Sequence, residues 1–236
     1  MLKNTDEETN IELTFYPEYN PNEWDLKWVE EINNYIVESY HLITKYIPYT
    51  SFPTIVFISK EYSKKILEDL ELPQWTNAFT VEGTIYLINI NNTRWRSSID
   101  HEMFHARANL FLDNLNIMPE WFNECIAYYI GKNCYINASY ICEYVEKEFS
   151  RVQKWFEEDQ LMIKDSMGYS IVKSMGVYIC NTYNEESIKE FIKELKNLKD
   201  FNSVMKKVFK VDNSSLLEKW FEYLKSISNM TEGFQA

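Results

Sequence analysis

The sequence predicts an α+β fold, with a small mixed sheet and helices in its N-terminal half and a mainly helical C-terminal half. Short alternating or β-branched apolar runs mark the first half, whereas apolar residues recur at helical spacing throughout the chain after Glu124. Of 236 residues 45% are hydrophobic and only 5 are glycine, which is typical of a globular chain that buries a large core. We expect one compact unit built from residues 1–115 and 116–236.

Four strands are predicted in the first half, each a short run of apolar residues that alternate with polar ones or are β-branched. They cover residues 11–16, 54–58, 77–81 and 84–89. Glu82 and Gly83 separate the last two runs and form a two-residue turn signal for a β-hairpin. Helical periodicity predicts two helices, over residues 22–45 and 61–70.

Residues 98–106 contain two of the three histidines of the chain, in the pattern H-E-x-x-H. Four residues are little more than one helical turn, so His101 and His105 lie on one helix face and can point at one metal ion. Glu102 is placed to reach a water on that metal. Alternatively, the two histidines bind no metal and lie in the core, with hydrogen bonds to backbone or carboxylate groups. His41, far from the motif, is expected at the surface or at a helix end.

A second carboxylate follows His105 by nineteen residues, at Glu124. Pro119 suits the first turn of a helix and Gly131 suits its end, so Glu124 is expected in mid-helix. A carboxylate brought to a two-histidine face completes a His-His-Glu site with an open fourth position, the arrangement of a catalytic metal site. Five further helices are predicted, over residues 136–158, 169–182, 185–196, 202–209 and 215–227.

This extended motif resembles that of the gluzincin metallopeptidases, in particular the aminopeptidase-N and peptidase-MA-like branches. The resemblance implies a zincin-like fold and one Zn²⁺ per chain, bound by His101, His105 and Glu124, with Glu102 as general base. It implies a packing role for Trp121 and Ala127. The chain departs from the family at two positions: Cys125 replaces the usual glycine after the third ligand, which could crowd a helix crossing, and Tyr128 replaces a common acidic residue that orients a ligand.

The resemblance further implies a zinc-dependent peptidase acting on a peptide or protein substrate. Tyr169 is the candidate donor to the oxyanion because it matches a tyrosine at the start of the corresponding helix in the peptidase-MA-like pattern. Tyr128 is a lesser candidate, and packing is the alternative for Tyr169. The Gly-x-Met-Glu-Asn stretch of aminopeptidase-N relatives is absent, which favours an endopeptidase. A gluzincin-fold protein that binds metal or peptide without turnover, and a helical protein with a fortuitous motif, are the other hypotheses.

Net charge, targeting signals and cysteines indicate which partners and which compartment to expect. A net charge of −12 and a pI of about 4.8 argue against binding to nucleic acid or to anionic lipid. The N-terminus has no apolar segment typical of a signal peptide, and no apolar run is long enough to span a membrane. The four cysteines lack C-x-x-C spacing, so reduced thiols in a cytoplasmic protein are expected, although a secreted mature form would look the same.

Overall fold

The structure is a computed structural model that describes residues 13–16, 26–74, 76–88, 94–113, 115–160 and 166–228. The predicted α+β organisation is confirmed, with a four-stranded mixed sheet and its helices followed by helices alone. Contacts between residues divide the chain into two compact units, residues 1–113 and 114–236. The predicted positions 11–12, 22–25 and 89 lie outside the described residues.

The described residues of the first unit form four strands and three helices. They are β1 (Leu13–Tyr16), α1 (Leu26–Ile43), β2 (Thr54–Ile58), α2 (Lys60–Asp69), β3 (Ala78–Val81), β4 (Thr84–Ile88) and α3 (Trp95–Leu112). The sheet has the order β1-β2-β4-β3, in which β3 alone pairs antiparallel and lies at the edge. The predicted hairpin between β3 and β4 is confirmed. Its turn has φ 49° at Glu82 and 77° at Gly83, the left-handed conformation that such a tight turn requires.

The two faces of this sheet are covered differently. Ile55, Phe57, Ile85 and Leu87 point to one face and are at most 1% exposed. Helix α3 packs against β3 and β4 and against α1. The opposite face meets α2, where Leu67 contributes to a smaller apolar cluster. Because successive residues of a strand face opposite sides, β3 presents different side chains to the two layers.

The second unit is helical. It contains a 3₁₀ turn (Leu115–Ile117), α4 (Glu120–Ile130), α5 (Ala138–Glu157), α6 (Ser166–Thr182), α7 (Glu185–Leu198), α8 (Phe201–Val204) and α9 (Asn213–Ser228). Helix α8 continues as a π-helix, Met205–Phe209, where the sequence predicts one regular helix. Helix α6 begins three residues before the predicted start at Tyr169. Side chains of Asn137, Asn184 and Asp200 accept hydrogen bonds from backbone N–H groups and so fix the starts of α5, α7 and α8.

Two helix pairs form the centre of the second unit, α4 with α6 and α5 with α9. The rings of Phe122, Phe191, Phe201 and Phe209 pack together beside the first of these pairs. None of the helices in the described part of the chain combines the length and the apolar composition needed to cross a membrane.

Candidate metal centre

The two histidines of the motif converge on helix α3. His101 Nε2 and His105 Nε2 lie 3.0 Å apart, and the ring planes are inclined by 81°. Two nitrogen ligands of one tetrahedral zinc ion are roughly 3.3 Å apart when each Zn–N bond is about 2.0–2.1 Å. The observed separation is therefore close to the spacing that a shared ion requires. His105 is buried, and His101 is half-buried.

Glu102 is held by a contact that the sequence did not predict. Its side chain is 8% exposed, and the hydroxyl of Thr80 on edge strand β3 lies 2.9 Å from Oε2. The same hydroxyl lies 3.2 Å from the backbone carbonyl oxygen of Glu102. A threonine hydroxyl has a single proton to donate, so the two acceptors share it. This bond fixes the orientation of the carboxylate next to the two histidines.

A buried cation anchors the same helix to the loop after α1. Arg107 is completely buried, and its guanidinium donates to the backbone carbonyl oxygens of Tyr40, Ile47 and Pro48 and to the hydroxyl of Thr50. It also stacks over the Tyr40 ring, 4.2 Å from the centroid. Burial lowers the pKa of Arg107 to about 10, so the side chain keeps its charge at neutral pH. Neutral oxygen acceptors satisfy this charge and hold α3 in place.

Helix α4 carries Glu124, and it packs closely against α6 at the next residue, Cys125. The Cys125 thiol is buried and donates to the carbonyl oxygen of Val172, with a separation of 3.1 Å. A Cβ atom on Gly176 would lie 2.2 Å from the carbonyl oxygen of Cys125, far inside van der Waals contact. Gly176 therefore allows α4 and α6 to approach closely beside Cys125.

Tyr128 and Tyr169 pack edge to face, with ring centroids 6.5 Å apart. Lys173, one turn after Tyr169, places its Nζ 4.7 Å from the centroid of the Tyr128 ring. Burial raises the pKa of Tyr169 above its ordinary value, and the negative charges of Glu124 and Glu120 raise it further. The phenol of Tyr169 therefore stays protonated, in the form that can donate a hydrogen bond.

The predicted metal ligands come together. His101, His105 and Glu124 each offer one ligand atom, and these atoms lie within 4.8 Å of one another. Two imidazoles and a carboxylate suit divalent transition metals, zinc among them.

His41 is exposed in the last turn of α1, as expected.

Sequence reasoning missed three residues that support this site: Thr80, Arg107 and Gly176. Thr80 lies between Phe79 and Val81 on a predicted strand, so its side chain is expected on the opposite face of the sheet from theirs. The sequence does not show which residue it contacts there. Arg107 follows His105 by two residues on the helix of the motif, and an arginine buried there would need acceptors for its charge. No local pattern pairs Gly176 with Cys125.

Comparisons of the chain with protein-family models, with curated proteins and with solved structures find no significant match.

Proposed function

We propose that the chain is a zinc-dependent peptidase of the gluzincin type, which cleaves peptide bonds within a peptide or protein substrate. The observation that carries the proposal is the grouping of one ligand atom each from His101, His105 and Glu124 within 4.8 Å. These three side chains would hold a single zinc ion. When bound, zinc supplies a Lewis acid that lowers the pKa of water and polarises the scissile carbonyl group.

Glu102 is the proton carrier in this proposal. As general base its carboxylate accepts a proton from the attacking water, and as general acid it then passes that proton to the leaving amine. The hydrogen bond from Thr80 to Oε2 keeps the carboxylate in one orientation and leaves Oε1 to accept the proton. Burial of Glu102 limits competition from bulk water for the same oxygen.

Tyr169 is the proposed donor to the oxyanion that develops on the substrate carbonyl. Its raised pKa supports this role because only the protonated phenol can donate. A preorganised donor of this kind typically contributes about a hundred- to a thousandfold to the rate. The absence of a Gly-x-Met-Glu-Asn stretch supports an endopeptidase. The four cysteines are unpaired, and we propose that the protein is cytoplasmic.

A gluzincin-fold protein that binds metal or peptide without turnover is the second candidate. The position of Tyr128 favours it, because a ring beneath Lys173 stands where the family commonly has an acidic side chain.

Glu102→Gln separates the two candidates. Zinc content and cleavage of a quenched fluorescent peptide library are measured for the wild type and the variant, with Glu38→Gln on the exposed side of α1 as the control. The peptidase proposal predicts equal zinc in all three proteins and cleavage lost only in Glu102→Gln. Zinc binding without cleavage by the wild type would favour the binding protein.

A further inference from the structure

A pocket lies between the C-terminal part of α2 and the sheet face that points away from α3. Its volume is about 360 Å³, within the range of about 300–1,000 Å³ typical of small-molecule sites. Val56 of β2 and Ile66 of α2 contribute to its apolar lining. We call it the α2 pocket.

One wall of the α2 pocket is a pair of stacked rings. Phe79 of β3 and Tyr86 of β4 are partners in the antiparallel register, with centroids 4.8 Å apart and planes inclined by 9°. At the rim, Leu70 and Val81 are 46% and 43% exposed, so a ligand would remove apolar surface from water there. The wall and the rim together suit the apolar body of a ligand.

The charge at the pocket has one sign. Asp69, the last residue of α2, is the charged residue that lines it, and the last turn of α2 has no basic residue. The C-terminus of a helix already carries partial negative charge, so a carboxylate there is unfavourably placed. Among the residues that the structure describes, Asp69 has no ion-pair partner. Asp69 is exposed at the rim, and its carboxylate can pair with a cation bound in the pocket.

We propose that the α2 pocket binds a small organic cation, an amine or quaternary ammonium compound with an aromatic or branched apolar body. The body lies against the rings of Phe79 and Tyr86, and the ammonium group pairs with Asp69. The carboxylate and the helix end both disfavour binding of an organic anion of the same size.

This site is separate from the candidate metal centre. On β3, Phe79 and Val81 point into the α2 pocket, whereas Thr80 between them points to Glu102. Binding in the pocket therefore does not depend on the proposed peptidase function, and Glu102→Gln should leave it unchanged.

The test is a titration of the full chain, labelled in its isoleucine, leucine and valine methyl groups, with 4-phenylbutylammonium and, separately, with 4-phenylbutyrate. Methyl resonances of Val56, Ile66, Leu70 and Val81 report on the pocket directly. Asp69→Asn removes the counter-charge, and Glu61→Gln, an exposed acid at the other end of α2, is the matched control.

We expect the cation to shift these methyl resonances and the anion to bind at least about tenfold more weakly. Asp69→Asn should weaken cation binding by up to about fivefold, the effect of one exposed charge, while Glu61→Gln and Glu102→Gln bind as the wild type does. Equal binding of cation and anion, an equal effect of the two α2 variants, or shifts confined to other methyl groups would each overturn the proposal.

Discussion

Thr80 Oγ1 lies 2.9 Å from Oε2 of Glu102, which ties edge strand β3 to the helix that carries the H-E-x-x-H motif. The two residues are 22 positions apart in the sequence. The side chains on either side of Thr80 face the opposite layer, so a single strand serves the proposed base on one side and the α2 pocket on the other.

Thr80→Val tests this relationship. The variant keeps the shape of the side chain and removes the hydroxyl, and a hydrogen bond to a charged group contributes about 1.5–3 kcal/mol. We expect kcat/KM to fall about ten- to a hundredfold while zinc content stays unchanged. Thr84→Val, a half-buried threonine on neighbouring strand β4, is the control and should retain activity. Unchanged kcat/KM in Thr80→Val would show that Glu102 does not need this bond.

Tyr169→Phe tests the proposed donor to the oxyanion. Loss of the phenol hydroxyl should lower kcat about a hundred- to a thousandfold and leave zinc content unchanged. Tyr178→Phe, on the same helix, is the control.

A spectroscopic titration of the metal-free protein gives a second test of Tyr169. Its pKa is raised above the ordinary value of about 10. In the metal-free protein the protonated phenol therefore persists through that pH, and the phenolate absorbance that Tyr169→Phe removes should appear only above about pH 10. Phenolate absorbance below that pH that disappears in Tyr169→Phe would contradict the assigned pKa direction.

Gly176→Ala tests the close approach of α4 and α6. The added methyl group would meet the Cys125 carbonyl oxygen at 2.2 Å, and because that oxygen belongs to the backbone it cannot rotate away. We expect the free energy of unfolding to fall by about 3 kcal/mol, measured by denaturant titration. Cys180→Ala, the control, introduces alanine one turn later on α6 and should lower the free energy of unfolding by less. A Gly176→Ala variant as stable as the control would disprove the tight crossing.

Arg107→Met tests the buried cation on α3. Methionine fills much of the same space but leaves the carbonyl oxygens that Arg107 bonded without a donor. We expect a loss of at least about 3 kcal/mol in the free energy of unfolding. Arg96→Met removes an exposed ion pair with Glu31 and should cost at most about 1 kcal/mol. Equal losses in the two variants would show that burial of Arg107 carries no special energetic role.

The elements near the site were predictable because local patterns determine them. The β2 run and the turn at Glu82 and Gly83 follow from β-branched residues and left-handed backbone conformations within a few positions. The positions of His101 and His105 follow from helical geometry alone. The fold class and the grouping of the two histidines therefore needed only short-range reasoning.

Contacts between distant segments were not predictable in this way. Thr80 meets Glu102, and Gly176 meets Cys125, only because strands and helices pack in three dimensions. The π-helix at Met205–Phe209 also escaped prediction, since its apolar residues fit the period of an ordinary helix. Tertiary packing decides the two contacts, and no local pattern encodes them.

Metal content is the most direct test of the central claim, that His101, His105 and Glu124 form one zinc site. Elemental analysis of the purified protein is compared with that of Glu124→Ala, and with Glu120→Ala, an exposed acid one turn earlier on α4, as the control. The account predicts a single zinc ion per chain in the wild type and in Glu120→Ala, and its loss or sharp weakening in Glu124→Ala. No metal in any of the three proteins, even after zinc is added back, would contradict the account and remove the basis for a peptidase.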